Sequence, residues 1–253
     1  MKAAKQASGP KFRKRIISFK DGIDSLPRSI AQNLGNAVHC SVSIDSIQQN
    51  GSQWELAWSD APAESFDQLI VTTPAHKLQS LPFKDEVKSA FEPLQGIDYP
   101  PVSVLSLGFN KSDIAHPLDG FGALVPECEQ RTILGALFPS SVFTDRAPEG
   151  EALLTVFIGG ERQPEYATAN TEQVLQSVLP ELKDLLGVTG KPTFVHHKHW
   201  SQAIPQYKLG YGTTLETIDQ IEAQHPGLKL AGNYRTGISL TYCLEAALQS
   251  LAP

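Results

Sequence analysis

Cysteine is scarce in this 253-residue chain: Cys40, Cys128 and Cys243 show no C-x-x-C spacing, and any pairing leaves one over. That argues against a disulfide framework or a thiolate zinc site and for a reducing compartment. Long apolar runs are also missing. The longest, such as Leu153-Leu-Thr-Val-Phe-Ile158, have the length of a strand, which excludes a membrane-spanning helix, and no stretch has the layout of a signal peptide. No strand leads into G-x-G-x-x-G, so no self-contained dinucleotide-binding unit is visible. No Ser/His/Asp set or carboxylate pair stands at recognisable spacing, so no catalytic acid or base is named.

What is present is ordinary in amount, at 41% hydrophobic and 8% aromatic residues, and fits a globular protein with one or two cores. Charge is unevenly spread. Residues 1–15 hold six of the 21 basic side chains and no acid, so the other 238 positions carry 15 basic against 27 acidic groups, a net of −12. The basic stretch reads as a solvated linker, with anionic lipid or nucleic acid as its other conceivable contacts. The acidic body argues against a nucleic-acid partner.

Periodicity sets out the elements. Asp24 or Ser25 caps a short helix with Pro27 in its first turn and Gly35 at its end. Val38 to Ile47 reads as a strand, and Asn50-Gly51 followed by Trp54, Leu56 and Trp58 reads as a hairpin. Leu69-Ile70-Val71 has the fully apolar character of a buried parallel strand, ended by Pro74. Residues 75–100 look helical and then looped. Strands follow over Val102–Phe109, Ala123–Val125, Thr132–Phe138 and Leu153–Ile158. A helix is expected over 171–186, stopped by Gly187, then a strand over Phe194–Trp200 and a helix from near Thr214. The glycine pairs Gly120/Gly122 and Gly210/Gly212 read as turns. His196, His197 and His199 lack a carboxylate or cysteine at ligand spacing, so no metal site is assigned.

The most informative segment is near the C-terminus, where Leu228 and Leu230 run into Gly232-Asn233. A turn with Arg235 and Gly237 follows, then a helix with Leu240, Cys243/Leu244, Ala247 and Leu251 on one face. Glycine lets a ligand approach the backbone, and a helix start offers unpaired N–H groups and positive dipole charge. The segment is either a holder for an anion or an electron-rich ring edge, or a turn whose glycines serve packing.

Its wording, A-G-N-x-x-x-G-I-S-x-x-x-C-L, resembles the C-terminal flavin segment of the protoporphyrinogen oxidases, in the flavin amine oxidase superfamily. Further matches run in the family's order: ISFKDGIDSLP at 17–27, FDQLIVTTPA at 66–75, DGFGAL at 119–124, ILG at 133–135, SSVF at 140–143, RAP at 146–148, VFIGG at 156–160 and WSQAIPQY at 200–207. The resemblance implies FAD as cofactor. It places Gly237, Ile238 and Ser239 at the flavin ring edge, Gly232 and Asn233 near the ribityl and pyrophosphate, and Val42 at the adenine end. It also implies a tetrapyrrole between apolar walls at Phe121, Gly122, Leu124, Leu137 and Phe157, positions that residue type alone would equally assign to a core.

The implied fold is mixed α/β and α+β. A partial, Rossmann-like FAD-binding domain (16–75 and 226–253) brackets a mixed-sheet substrate-binding domain (76–225), behind a basic linker at 1–15. The family's N-terminal fingerprint half, helical lobe and substrate-binding arginine have no counterpart here. The chain is therefore expected to be a C-terminal part that needs an upstream half bearing G-x-G-x-x-G and is inactive alone. The implied activity is FAD-dependent oxidation of protoporphyrinogen IX to protoporphyrin IX in haem synthesis, with oxygen as acceptor, in a cytoplasmic protein that meets a membrane through the absent lobe. Coproporphyrinogen III as substrate, a non-catalytic partner subunit and a tetrapyrrole-binding module stay open.

Overall fold

A computed structural model of the chain describes residues 16–59 and 61–250, with side chains through residue 248. The basic linker and Leu251 lie outside these residues. The chain forms two compact units, residues 1–40 and 41–253.

The first unit holds helix α1 (Ser25–Leu34), which ends where Gly35 adopts φ 55°, and a 3-10 turn over Gly35–Ala37. No α1 side chain is buried, and Asp24 pairs with Arg28 one turn on at 2.8 Å. The strand expected from Val38 starts only at Ile44. Ser41 takes a left-handed φ of 58°, which breaks the extension.

The second unit begins with an antiparallel meander of β1 (Ile44–Asn50), β2 (Gln53–Trp58) and β3 (Ala61–Phe66). The expected Asn50-Gly51 hairpin joins the first two, with Asn50 opposite Gln53 and Gly51 at φ 63°. Next come β4 (Leu69–Val71), a 3-10 turn over Ala75–Ser80, α2 (Asp85–Ala90) and a second 3-10 turn over Glu92–Gly96. Then follow β5 (Val102–Asn110), β6 (Gly122–Leu124), β7 (Ile133–Leu137), α3 (Pro139–Val142), β8 (Glu151–Gly159), α4 (Thr171–Leu186) and β9 (Phe194–Trp200). The chain closes with α5 (Tyr211–Gln224), β10 (Leu228–Leu230) and α6 (Leu240–Ser250). Gly210, read as part of a turn, is the N-cap of α5 at φ 87°, and Gly212 lies inside the helix.

Five antiparallel strands form one sheet in the order β6-β7-β8-β5-β9. Strand alternation sends Leu105, Leu107 and Phe109 of β5 and Ala152, Leu154, Val156 and Ile158 of β8 to one face. Helix α4 seals that face with Val174, Val178, Leu182 and Leu186, four residues apart along one stripe. Asn170 and Gln173 begin α4 with a reciprocal capping box, and Gly187 ends it at φ 65°. His197 ties β9 to this layer. One ring nitrogen lies 2.9 Å from the buried Ser103 hydroxyl, which donates to the Ala167 carbonyl, and the other lies 3.1 Å from Thr171.

A second core gathers around Trp54, Phe91 and Tyr234. Strands β4 and β10 pair with each other in parallel, Leu69 opposite Leu228. The sequence boundaries at 75 and 226 fall inside this core. Phe83, Val87 and Phe91 on one side and Ile218 and Ile221 on the other share it with Trp54 and Leu230.

Candidate functional site

Two clefts carry part of the sequence-derived site, Gly232 and Asn233 in one and Leu124, Leu137 and Phe157 in the other. The first opens at the carboxyl ends of the parallel pair, where open α/β sheets place their ligands. Its volume is about 610 Å³, and it is lined by Thr72 and Pro74 beyond β4, Ala231, Gly232 and Asn233 beyond β10, and Cys243, Ala246 and Ala247 of α6. The small residues leave the backbone bare. Gly232 and Gly237 sit at φ 151° and 128°, where side chains are disfavoured. A Cβ on Gly232 would stand 2.8 Å from the Tyr234 ring, and one on Gly237 2.6 Å from the Tyr242 ring. These glycines are therefore required by the loop's own shape before any ligand is considered.

Ser239 starts α6: its hydroxyl accepts from the Tyr242 N–H at 3.2 Å and its carbonyl from the Cys243 N–H at 3.0 Å. Among the described residues no protein group accepts from the N–H groups of Ile238 or Ser239. Arg235, charged and close to this loop, is taken up by Asp219 at 2.7 Å and Glu222 at 2.6 Å. The helix start thus offers two unbonded donors and dipole charge beside a small-residue cleft, which fits the edge of an electron-rich ring.

The second cleft lies on the sheet face that α4 does not cover. It has a volume of about 610 Å³ and is lined by Val102 and Val104 of β5, Leu134 and Leu137 of β7, Phe157 of β8, Leu124 of β6 and Trp200 of β9. Register explains the gathering: Val104 faces Phe157, Phe157 faces Gly135, and Gly135 faces Leu124. A Cβ on Gly135 would stand 2.6 Å from the Ala123 carbonyl, and one on Gly122 2.5 Å from that of Ala136, so glycine permits the close pairing of β6 with β7. Leu124 is 87% exposed. An antiparallel sheet with one solvated face normally alternates apolar and polar residues. Here the part of the open face that lines the cleft is apolar, while Ser106, Thr155, His196 and Lys198 share the face beyond the lining.

Of the residues expected at the substrate, Leu124, Leu137 and Phe157 meet in this cleft. Gly122 borders a different hollow of about 550 Å³ with His116, Arg131 and Leu182. Phe121 lines neither; its carbonyl accepts from Phe138 and its ring is half exposed. Of the residues expected at the cofactor, Gly232 and Asn233 line the first cleft, while Gly237, Ile238 and Ser239 form the start of α6. Val42 is exposed and is not part of the cleft lining. Val102, Val104, Trp200 and Ile204 were not singled out from sequence. The available signal was the alternation at the start of Val102-Ser-Val-Leu-Ser-Leu107 for the two valines and the WSQAIPQY match for Trp200 and Ile204.

The profile of the family described as flavin containing amine oxidoreductase matches residues 4–250. The chain belongs to that family. The family is flavin-containing, which supports FAD as the cofactor. The mitochondrial protoporphyrinogen oxidase of Nicotiana tabacum is 34% identical over 96% of this chain and 51% of its own length. The coproporphyrinogen III oxidase of Staphylococcus aureus (strain NCTC 8325 / PS 47) is 24% identical over 89% and 49%. The chain thus spans about half the length of these relatives. In fold, it superposes on the cyclohexylamine oxidase of Brevibacterium oxydans IH-35A with a TM-score of 0.66 and 12% identity, covering 90% of this chain and 51% of that one. No described helix is long and apolar enough to cross a membrane.

Proposed function

We propose that this chain is the C-terminal half of an FAD-dependent porphyrinogen oxidase, acting on protoporphyrinogen IX in haem synthesis together with an upstream half that supplies the dinucleotide fingerprint. The observation that carries the reading is the apolar cleft on the uncovered sheet face, a wall suited to a large flat ligand with few polar groups. When bound, the flavin supplies hydride acceptance from the macrocycle, with oxygen as the final acceptor. The N–H groups of Ile238 and Ser239 would stabilise negative charge on the flavin edge, a helix-start contact worth ~0.3–2 kcal/mol. Val104, Leu124, Leu137 and Phe157 hold the macrocycle and keep water from it, while Gly232 and Asn233 leave room for the ribityl chain. The cofactor side comprises 16–75 and 226–253 and the substrate side 76–225, with the cofactor side's core borrowing from α2 and α5. The location is cytoplasmic, with peripheral membrane contact through the upstream half.

The test is co-expression with an upstream segment bearing G-x-G-x-x-G. The expected result is a yellow complex that generates fluorescent porphyrin from its porphyrinogen. A complex that forms yet holds no flavin would overturn the reading. Comparing protoporphyrinogen with coproporphyrinogen III in that assay assigns the substrate. A tetrapyrrole-binding module without redox activity is the second reading. It is favoured by the lining of the apolar cleft, which holds no titratable side chain, and porphyrin binding without oxidation by the flavin-loaded complex would select it.

A further inference from the structure

The loop 231–239 between β10 and α6 is gripped by one neighbouring segment at several points. Tyr207 donates its hydroxyl to the Asn233 carbonyl, and Tyr211 donates to the next carbonyl, Tyr234, at 2.6 Å. The two rings brace each other edge to face, with centroids 4.5 Å apart. Farther along α5, the Glu222 carboxylate accepts from the Leu230 N–H at 2.8 Å and from Arg235 at 2.6 Å. Arg235 in turn reaches the Leu230 carbonyl at 3.2 Å and Asp219 at 2.7 Å. The Glu222 side chain is nearly buried, at 9% exposure. Two consecutive carbonyls and the entry to the turn are thus fixed from outside the loop.

These contacts have an electrostatic logic. The carbonyls of 233 and 234 are satisfied by phenols, so their negative ends are neutralised on the α5 side. Among the described residues the donors of Ile238 and Ser239 have no protein acceptor. Burial raises the Tyr207 pKa against the pull of the Gly237 backbone, and burial raises that of Tyr211 further. Both phenols therefore remain protonated donors across the physiological range. The Glu222–Arg235 pair is charge-assisted and stronger than a neutral bond.

We infer that Tyr207, Tyr211 and Glu222 are positioning residues that set the 231–239 loop so that its free N–H groups face the flavin edge. This inference rests on the proposed flavin role of the loop, and its test separates the two. Hydrogen exchange on the full chain would compare wild type with Y207F/Y211F and with E222Q. The expected result is about tenfold faster exchange in peptides covering 230–242, the effect of one lost hydrogen bond per anchor, with peptides from β5 and β8 unchanged. Exchange that rises equally in both regions would show a general loss of stability and overturn the inference, as would an unchanged loop. In the complex with the upstream half, the variants should bind FAD about tenfold more weakly by titration. A loosened loop with wild-type FAD affinity would also overturn the inference. Failure of the wild-type complex to take up FAD would instead strike the proposed function, and it is visible before any variant is compared.

Discussion

The two cores of the larger unit differ in how far they close upon themselves. Around the five-stranded sheet, α4 covers the centre of one face, with Leu105, Leu107, Leu154, Val156 and Ile158 at or below 1% exposure. Around the parallel pair, each strand has three residues, and α6 shows Leu240, Leu244 and Leu248 to solvent at 48, 45 and 74% exposure. Those three leucines are four residues apart and form one stripe. Parallel strands ordinarily occur in larger sheets covered on both faces. The difference teaches that the core under the five-stranded sheet is closed by its own helix, while the core around the parallel pair leaves an apolar stripe of α6 open.

The largest expected effect concerns the sealed core. Leu154→Ala should cost about 2–5 kcal/mol, read as a lowered midpoint of the main thermal transition. Leu230→Ala, equally buried but in the other core, should loosen the second core ahead of that transition. An identical shift of a single transition by both variants would break the comparison.

Next in size is the open sheet face. Phe157→Ala and Leu124→Ala should weaken porphyrin binding by up to about 1.5–3 kcal/mol each, measured by fluorescence quenching. Leu124→Ala should leave the melting temperature within experimental scatter, because that side chain is already exposed. Unchanged affinity in both variants would place the tetrapyrrole elsewhere.

A smaller effect is expected on α6. Leu244→Glu with Leu248→Glu should change stability by no more than about 0.5 kcal/mol while reducing self-association in sedimentation. A large loss of stability would mean that the stripe is already covered within the chain.

The smallest concerns pH. Burial lowers the His197 pKa below its ordinary value of 6.5, with His199 and His196 adding to the effect. The folded state thus favours the neutral ring, so the linked stability is present above that ordinary value and is lost as pH falls toward the depressed one. Wild type should lose more stability than His197→Gln between about pH 7 and pH 5, measured by denaturant midpoints. Parallel curves would show that His76, whose pKa is lowered in the same direction, dominates.

How much was legible depended on whether local pattern or distant contact decided each element. The 171–186 helix and the 194–200 strand were read to the residue, and in the helix periodicity, cap and stop signals agree. Strand β3 was missed: Ala61-Pro-Ala-Glu-Ser-Phe66 lacks β-branched residues and alternation, and all six are exposed on a sheet edge. Helix α5 starts at Tyr211 because Gly210 supplies a left-handed turn that the flanking pattern did not reveal. In the apolar cleft, resemblance brought out Leu124, Leu137 and Phe157, but Val102 and Val104 become neighbours of Phe157 only through strand register. The grip of Tyr207, Tyr211 and Glu222 on the loop joins positions 8 to 26 apart through tertiary packing, which no short motif encodes.

The pairing of Leu69 with Leu228 has a consequence in time. Those partners stand 159 positions apart, whereas β7 and β8 meet across a short connection. Chain-closure entropy grows with the length of the loop, and distant pairings slow folding. The antiparallel sheet can therefore assemble early, while the parallel pair must wait until the intervening chain has collapsed. The indole of the fully buried Trp54 bonds the Pro226 carbonyl at 3.0 Å, across 172 positions. That tryptophan is thus a built-in reporter of the last step of folding, the one that creates the cleft at the ends of the parallel pair.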